Sequence, residues 1–394
     1  MEKHMNLIAN ICRFALKGSP NKDIVKAVIK YRDALQRDGL DIESRALSSL
    51  IDKIDDKKST NLQRKEIVWS KSTFADGGVL SPSTPLPVDR ENGTPLAEVS
   101  FPTELSGFDH YHFFNSDVTQ AIEGIVKEWE FSEKLKEKGL LPSYNCLFFG
   151  LPGTGKTELA KYLSHKLNLP ILTARLDSLL SSFLGTSARN ISTLFDFADK
   201  YQCVLLLDEF DAIAKYRDDS KEVGEIKRVV NTLLQKLDLR QSRGVVIATT
   251  NHEKLLDPAV WRRFQNRILI SLPSTDTRMK IISAYLAPHK ILEHEKQFLC
   301  HILDGATPAE IKNCINFIKR FTVVNEEDTV SLYKAVRAYF AVNANNQTEL
   351  SISMSDENEH KLAELLVNKY GYSIQDVSNL IGKHKSTVSR WLKG

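Results

Sequence analysis

Between residues 146 and 273 the chain alternates short apolar runs with longer amphipathic stretches. "CLFFG", "ILTARL", "VLLLDEF", "GVVIATTN" and "RILISLP" are each too short for an ordinary helix and rich in Val, Ile, Leu and Phe. Strands that are apolar at successive positions are buried on both faces. Their alternation with helices predicts a parallel sheet covered on both sides, an α/β fold. Upstream, "DVTQAIEGIVKEWEFSEKLKEKG", from Asp117, has the spacing of an amphipathic helix. Downstream, helical spacing runs from about residue 276 to 345. It breaks at the polar gap "NANNQTELSISMSDENE" and resumes in a compact helical segment over 357–394.

The N-terminal third has a different character. Ile8, Ile11 and Phe14, then Ile24, Val28, Tyr31 and Leu35, fall at helical spacing, with Asn21 a candidate cap. Residues 1–56 are therefore expected as a small helical module; a docking role for it is the functional alternative. Residues 57–105 are rich in Pro, Gly, Ser and Thr and read as a linker with one or two edge strands. The organisation expected is thus 1–56 helical, 57–105 linker, 106–275 α/β, 276–345 helical and 357–394 helical. No internal repeat is visible.

Composition changes this picture little. With 42% hydrophobic and 26% charged residues the chain reads as a soluble globular protein. A net charge of +3 is too small to argue for nucleic acid over the whole chain, so local charge must decide. Cys12, Cys146, Cys203, Cys300 and Cys314 lie far apart without metal or redox spacing, and are expected as free thiols of a reducing compartment. The N-terminus lacks an apolar core with a cleavage site, and no run reaches membrane-spanning length, which points to a cytoplasmic protein with no membrane partner.

The chemistry concentrates in "NCLFFGLPGTGKTELAKYL", which supplies strand, Gly-rich turn and helix in the order a phosphate cradle requires. Gly150, Gly153 and Gly155 let the backbone turn its N–H groups toward an anion, Lys156 reaches the β and γ phosphates, and the Thr157 hydroxyl can hold Mg²⁺. The helix that starts there adds its positive end. The nucleotide-binding candidates are Gly150, Pro152, Gly153, Thr154, Gly155, Lys156, Thr157 and Glu158, with ATP and Mg²⁺ as the cofactors. In "CVLLLDEFDAIA", Asp208 and Glu209 emerge at a strand's carboxyl end, where open α/β sheets bind ligands. Asp208 would anchor the metal and Glu209 would polarise the attacking water. Asn251, ending "GVVIATTN", could orient the same water. Arg262 and Arg263 stand in tandem before the last strand; charge stabilisation across a subunit interface fits them, a solvated basic turn being the alternative.

These elements, in this order, resemble the AAA ATPases, specifically the clade that includes the meiotic, microtubule-severing and proteasomal members. The resemblance covers roughly residues 110–320 and rests on "GLPGTGKT", "FLGTSARNISTLFDFA", "LLLDEFDAIA", "RVVNTLLQKLD", "ATTN", "LDPAVWRRF" and "DGATPAEIKN". It implies a P-loop NTPase fold whose residues 276–345 form a helical lid, and a homo-oligomer, a hexameric ring with ATP at subunit interfaces. Arg262 and Arg263 would then reach into the neighbour's site. It also bears on "SSFLGTS": Phe183, Leu184 and Gly185 occupy the place of the family's pore loop, which grips extended polypeptide. Burial of Phe183 in the core is the alternative. The chain departs from the family pattern at Ala188, where an acid is usual, and at Pro308, where a small residue is usual. The adenine-contacting segment finds no clear match near Gly107–His110. The layout is similar to bacterial AAA proteins encoded beside subtilisin-like peptidases, which makes such a peptidase a candidate partner effector.

The tail "YGYSIQDVSNLIGKHKSTVSRWLKG" resembles a helix-turn-helix. Ser373 caps a first helix with Asp376, Val377, Leu380 and Ile381 point inward, and Ser378 is small where the helices cross. Gly382 turns the chain, and Val388, Trp391 and Leu392 anchor the second helix. Lys385, Ser386, Thr387, Ser389 and Arg390 would face a DNA groove. Two readings stand, DNA binding and a protein-interaction module of the same shape. The functions expected are accordingly an ATP-driven protein-remodelling motor or, alternatively, a DNA-bound ATPase regulator.

Overall fold

The computed structural model describes residues 78–105, 113–179, 186–211, 223–240, 244–289, 291–325, 332–343, 349–355 and 359–393. The chain divides into two compact units, Met1–Val68 and Trp69–Gly394, and every described residue belongs to the second. The helical module expected over 1–56 and the first part of the linker lie outside the described residues.

Six strands form one sheet: β1 (Ala97–Ser100), β2 (Asn145–Phe149), β3 (Ile171–Ala174), β4 (Val204–Leu207), β5 (Val246–Thr250) and β6 (Asn266–Leu269), in the order β1-β3-β4-β5-β2-β6. The five predicted apolar runs are its parallel strands, and β1, from the Pro- and Gly-rich segment, adds an antiparallel edge against β3.

Side chains alternate between two cores. Leu147, Leu205, Leu207, Val246 and Ala248 pack on one face with helices α5 (Thr186–Ala198) and α6 (Val223–Leu239). Cys146, Phe148, Val204, Leu206 and Ile247 pack on the other with α1 (Ser116–Glu130) and α3 (Lys156–Lys166). The largest side chain buried there is Trp129 of α1, whose indole N–H donates to the Ser143 carbonyl at 2.8 Å. This two-sided burial explains why the central strands β2, β4 and β5 are apolar along most of their length. Two short helices, α2 (Ser132–Glu137) and α4 (Leu176–Leu179), complete the connections to this point, and α7 (Pro258–Trp261) precedes β6.

The remaining helices are α8 (Thr275–Leu286), α9 (Glu293–Ile302), α10 (Pro308–Val324), α11 (Leu332–Val342), α12 (Glu349–Ser355), α13 (Glu359–Asn368), α14 (Ile374–Ile381) and α15 (Lys385–Trp391). Pro308 sits in the first turn of α10, where its missing N–H costs nothing. Thr307 and Glu310 close a reciprocal capping box around that turn. The two segments expected as separate, 276–345 and 357–394, pack around one core. Ile311, Cys314 and Ile315 of α10 share it with Val336 of α11 and with Val377, Leu380 and Val388 of the tail. Among the described residues, no helix is long and apolar enough to cross a membrane.

Candidate functional site

The strand order places the carboxyl ends of β4, β5 and β2 side by side. The register sets Phe149 opposite Thr250 and Leu207 opposite Ala248, so the segments following these strands emerge at one edge of the sheet. That edge joins the Gly-rich loop, Asp208–Glu209 and Asn251, three stretches separated widely in sequence.

The loop is shaped by its glycines. Gly150 has φ +145°, and a Cβ there would collide with the Ile270 carbonyl. Gly153 has φ +77°, and a Cβ would sit 3.0 Å from the Ala309 methyl of α10. Both positions demand glycine, by conformation and by space. The Lys156 ammonium, in a largely buried side chain, donates to the carbonyls of Gly150 and Leu151 at 2.9 and 2.8 Å. Burial pushes its pKa below the usual lysine value, while the Asp208 and Asp211 carboxylates pull it back up.

Thr157, on the first turn of α3, donates its hydroxyl to Asp208, 3.1 and 3.0 Å from the two carboxylate oxygens. Thr249 was not singled out from the sequence. Its hydroxyl donates to Asp208 Oδ1 and accepts the Glu209 N–H at 3.0 Å. Glu209 has φ +51°, unusual for a residue with a side chain, and its carboxylate is exposed at the sheet edge. Thr250, next in the strand, donates to the buried Asp211 at 3.2 Å. Asn251 is at the same edge, its Oδ1 buried and without a hydrogen-bond partner among the described residues.

These residues fit ATP and Mg²⁺. A glycine cradle leaves the loop backbone open to an anion, a hydroxyl and a carboxylate are hard oxygen donors of the kind Mg²⁺ takes, and an orphaned amide oxygen faces no competitor. Thr154 donates internally to the Leu151 carbonyl at 2.9 Å, and exposed Glu158 pairs with Lys161 on α3. Pro152 lies in the loop's turn.

The helical region closes on this loop. The Ala309 N–H donates to the Gly153 carbonyl at 3.2 Å. From the other side, Phe114 packs on Gly155, and the Asn115 side chain bonds the Leu272 carbonyl and the Ser274 N–H, both at 2.9 Å. None of these contacts was read from the sequence. The Gly107–His110 stretch falls outside the described residues, and so do Phe183, Leu184 and Gly185.

The two arginines differ. Arg263 donates to Asp238 at 3.3 Å and to the Ala259 carbonyl at 2.9 Å, within its own chain. Arg262 is exposed, and its side chain has no hydrogen bond or ion pair among the described residues. In the tail, Ser373 caps α14 and Gly382 ends it with φ +74°. Lys385, Ser386 and Arg390 are exposed, and Thr387 and Ser389 are half-buried.

Residues 146–272 match the family described as "ATPase family associated with various cellular activities (AAA)". An uncharacterized AAA family ATPase of Sinorhizobium fredii is 44% identical over 154 residues, 39% of this chain and 47% of the relative. A proteasome-activating nucleotidase of Methanothermobacter thermautotrophicus is 33% identical over 224 residues, 55% of this chain and 54% of the relative. The chain thus spans about half the length of these two relatives. The crystal structure of the FIGL-1 AAA domain overlays with a TM-score of 0.50 at 22% identity, covering 66% of this chain and 84% of that one, a likeness of fold. Residues 146–272 thus match the AAA family model, and the fold that carries them is a mixed α/β P-loop sheet.

Proposed function

We propose that the protein is an ATP-hydrolysing ring motor, a hexamer that remodels or threads protein substrates or activates a partner effector. The observation that carries this reading is the meeting of Lys156, Thr157, Asp208 and Glu209 at one sheet edge, against a glycine-shaped loop that the helical lid touches. Bound Mg-ATP would supply the anhydride to be cleaved and the cation that offsets its charge. Lys156 would exchange its two carbonyl bonds for phosphate oxygens, and Thr157 and Asp208 would hold the metal. Glu209 and Asn251 would orient and polarise water. The Arg262 side chain, without a partner among the described residues, suits a role in the neighbour's site, whereas Arg263 must first leave Asp238.

The relatives named as proteasome-activating nucleotidases support action on protein through a partner, for which a subtilisin-like peptidase is one candidate. Phe183, Leu184 and Gly185 would line the pore. Phe183→Ala tests this part: ATP turnover and melting temperature should stay near wild type, while substrate unfolding or effector activation is lost and Phe183→Tyr retains most of it. A core Phe183 would instead lose about 3–5 kcal/mol of stability on truncation, and early melting with lost turnover would refute the pore assignment.

A further inference from the structure

We infer that the exposed face of α15 is a duplex-DNA-binding surface carried by the lid itself. Three observations converge on it. First, α13, α14 and α15 pack mutually, and α14 and α15 are joined through the left-handed Gly382, with the Ser378 hydroxyl donating to the Lys383 carbonyl at 2.6 Å. Buried Val377, Leu380, Ile381 and Val388 fix the pair, which is the helix-turn-helix arrangement whose second helix enters a major groove.

Second, the charge on that surface is unspent. No acidic residue occurs from Val377 to Lys393, a stretch with Lys383, Lys385, Arg390 and Lys393. Lys383 pairs with Glu359 at 3.2 Å, but Lys385, Arg390 and Lys393 have no ion pair or hydrogen bond from their side chains among the described residues. Ser386 stands beside them, 2.7 Å from His384 Nδ1. Cations with hydroxyls between them suit phosphate contacts with adjacent base edges.

Third, the surface is polar. The exposed large apolar residues lie elsewhere, none falls between 359 and 393, and Trp391 and Leu392 are half-buried against the shared core. These three points favour a polyanion over a polypeptide. The shared core adds a consequence for position: α10 reaches the Gly153 carbonyl at one end and shares one core with the α14–α15 pair, which α11 contacts, so the surface is built onto the nucleotide lid rather than tethered to it.

The test uses the full-length protein and a fluorescent mixed-sequence duplex of about three helical turns. Binding should weaken steeply as salt rises, and Lys385→Ala with Arg390→Ala should weaken it further and lower the salt slope by about two, one for each cation removed. Because both residues are exposed, the melting temperature should not move. Arg390→Lys keeps the charge and should keep the slope. Absence of duplex binding at low salt, or binding that the double variant leaves unchanged in affinity and slope, would overturn the assignment.

Discussion

At the scale of single residues, the site depends on one hydroxyl that its own motif does not announce. Thr249 holds Asp208 with its proton and the Glu209 N–H with its lone pair, so it fixes together the carboxylate proposed to anchor the metal and the left-handed backbone of the residue proposed to polarise water. Thr249→Val keeps the shape and removes both bonds. A hydrogen bond to a charged group contributes about 1.5–3 kcal/mol. If that loss is felt in the transition state, turnover should fall roughly ten- to a hundred-fold, with KM for ATP changed much less. Thr249→Ser should recover most of it. A merely structural Thr249 would instead show unchanged kcat beside a lowered melting temperature. The glycines, Lys156, Thr157, Asp208 and Glu209 were legible because phosphate chemistry dictates their types and spacing. Thr249 was not, because a Thr in a strand also satisfies β propensity and nothing local marks its hydroxyl as spoken for.

At the scale of elements, the five parallel strands were legible for a physical reason: burial on both faces removes polar residues, and the resulting runs stand out. The antiparallel β1 was only a hint in a turn-rich stretch, since a short edge strand draws its order from its partner. Least legible was the relation between the lid and the tail. A polar gap reads as a boundary, yet the helices on either side share a core, and shared burial is a tertiary property that no local pattern displays. The sequence taken alone suggests that the tail can be removed without touching the motor, since no nucleotide-site motif lies in it. The shared core reverses that expectation. Removing 357–394 takes Leu362, Leu366, Val377, Leu380, Ile381 and Val388 out of the core they share with α10 and α11, and each large apolar burial lost can cost about 1.5–3 kcal/mol. The truncated protein should melt earlier and lose ATP turnover, because the lid that meets Gly153 is then unsupported. Wild-type melting and turnover after the deletion would show the tail to be an independent module.

At the scale of the whole molecule, the proposed ring would complete each site with a residue from a second copy. Among the described residues the Arg262 side chain is exposed and has no hydrogen bond or ion pair, whereas Arg263 is engaged by Asp238 and Ala259. The tandem was visible in the sequence; the division of labour between its members was not, because it depends on where Asp238 falls at the end of α6. Arg262 is therefore the cleaner probe of the interface. The decisive measurement is the steady-state ATP turnover of Glu209→Gln, of Arg262→Ala and of their mixture, with nucleotide binding followed alongside. Glu209→Gln should bind ATP and barely turn it over, since the phosphate cradle is intact and only the water-polarising carboxylate is gone. Arg262→Ala should also bind and fail. Mixing the two should restore part of the activity, because some interfaces then join an intact Glu209 to an intact Arg262. Wild-type turnover by Glu209→Gln would contradict the catalytic assignment, and two inactive variants that stay inactive when mixed would contradict a site shared between subunits.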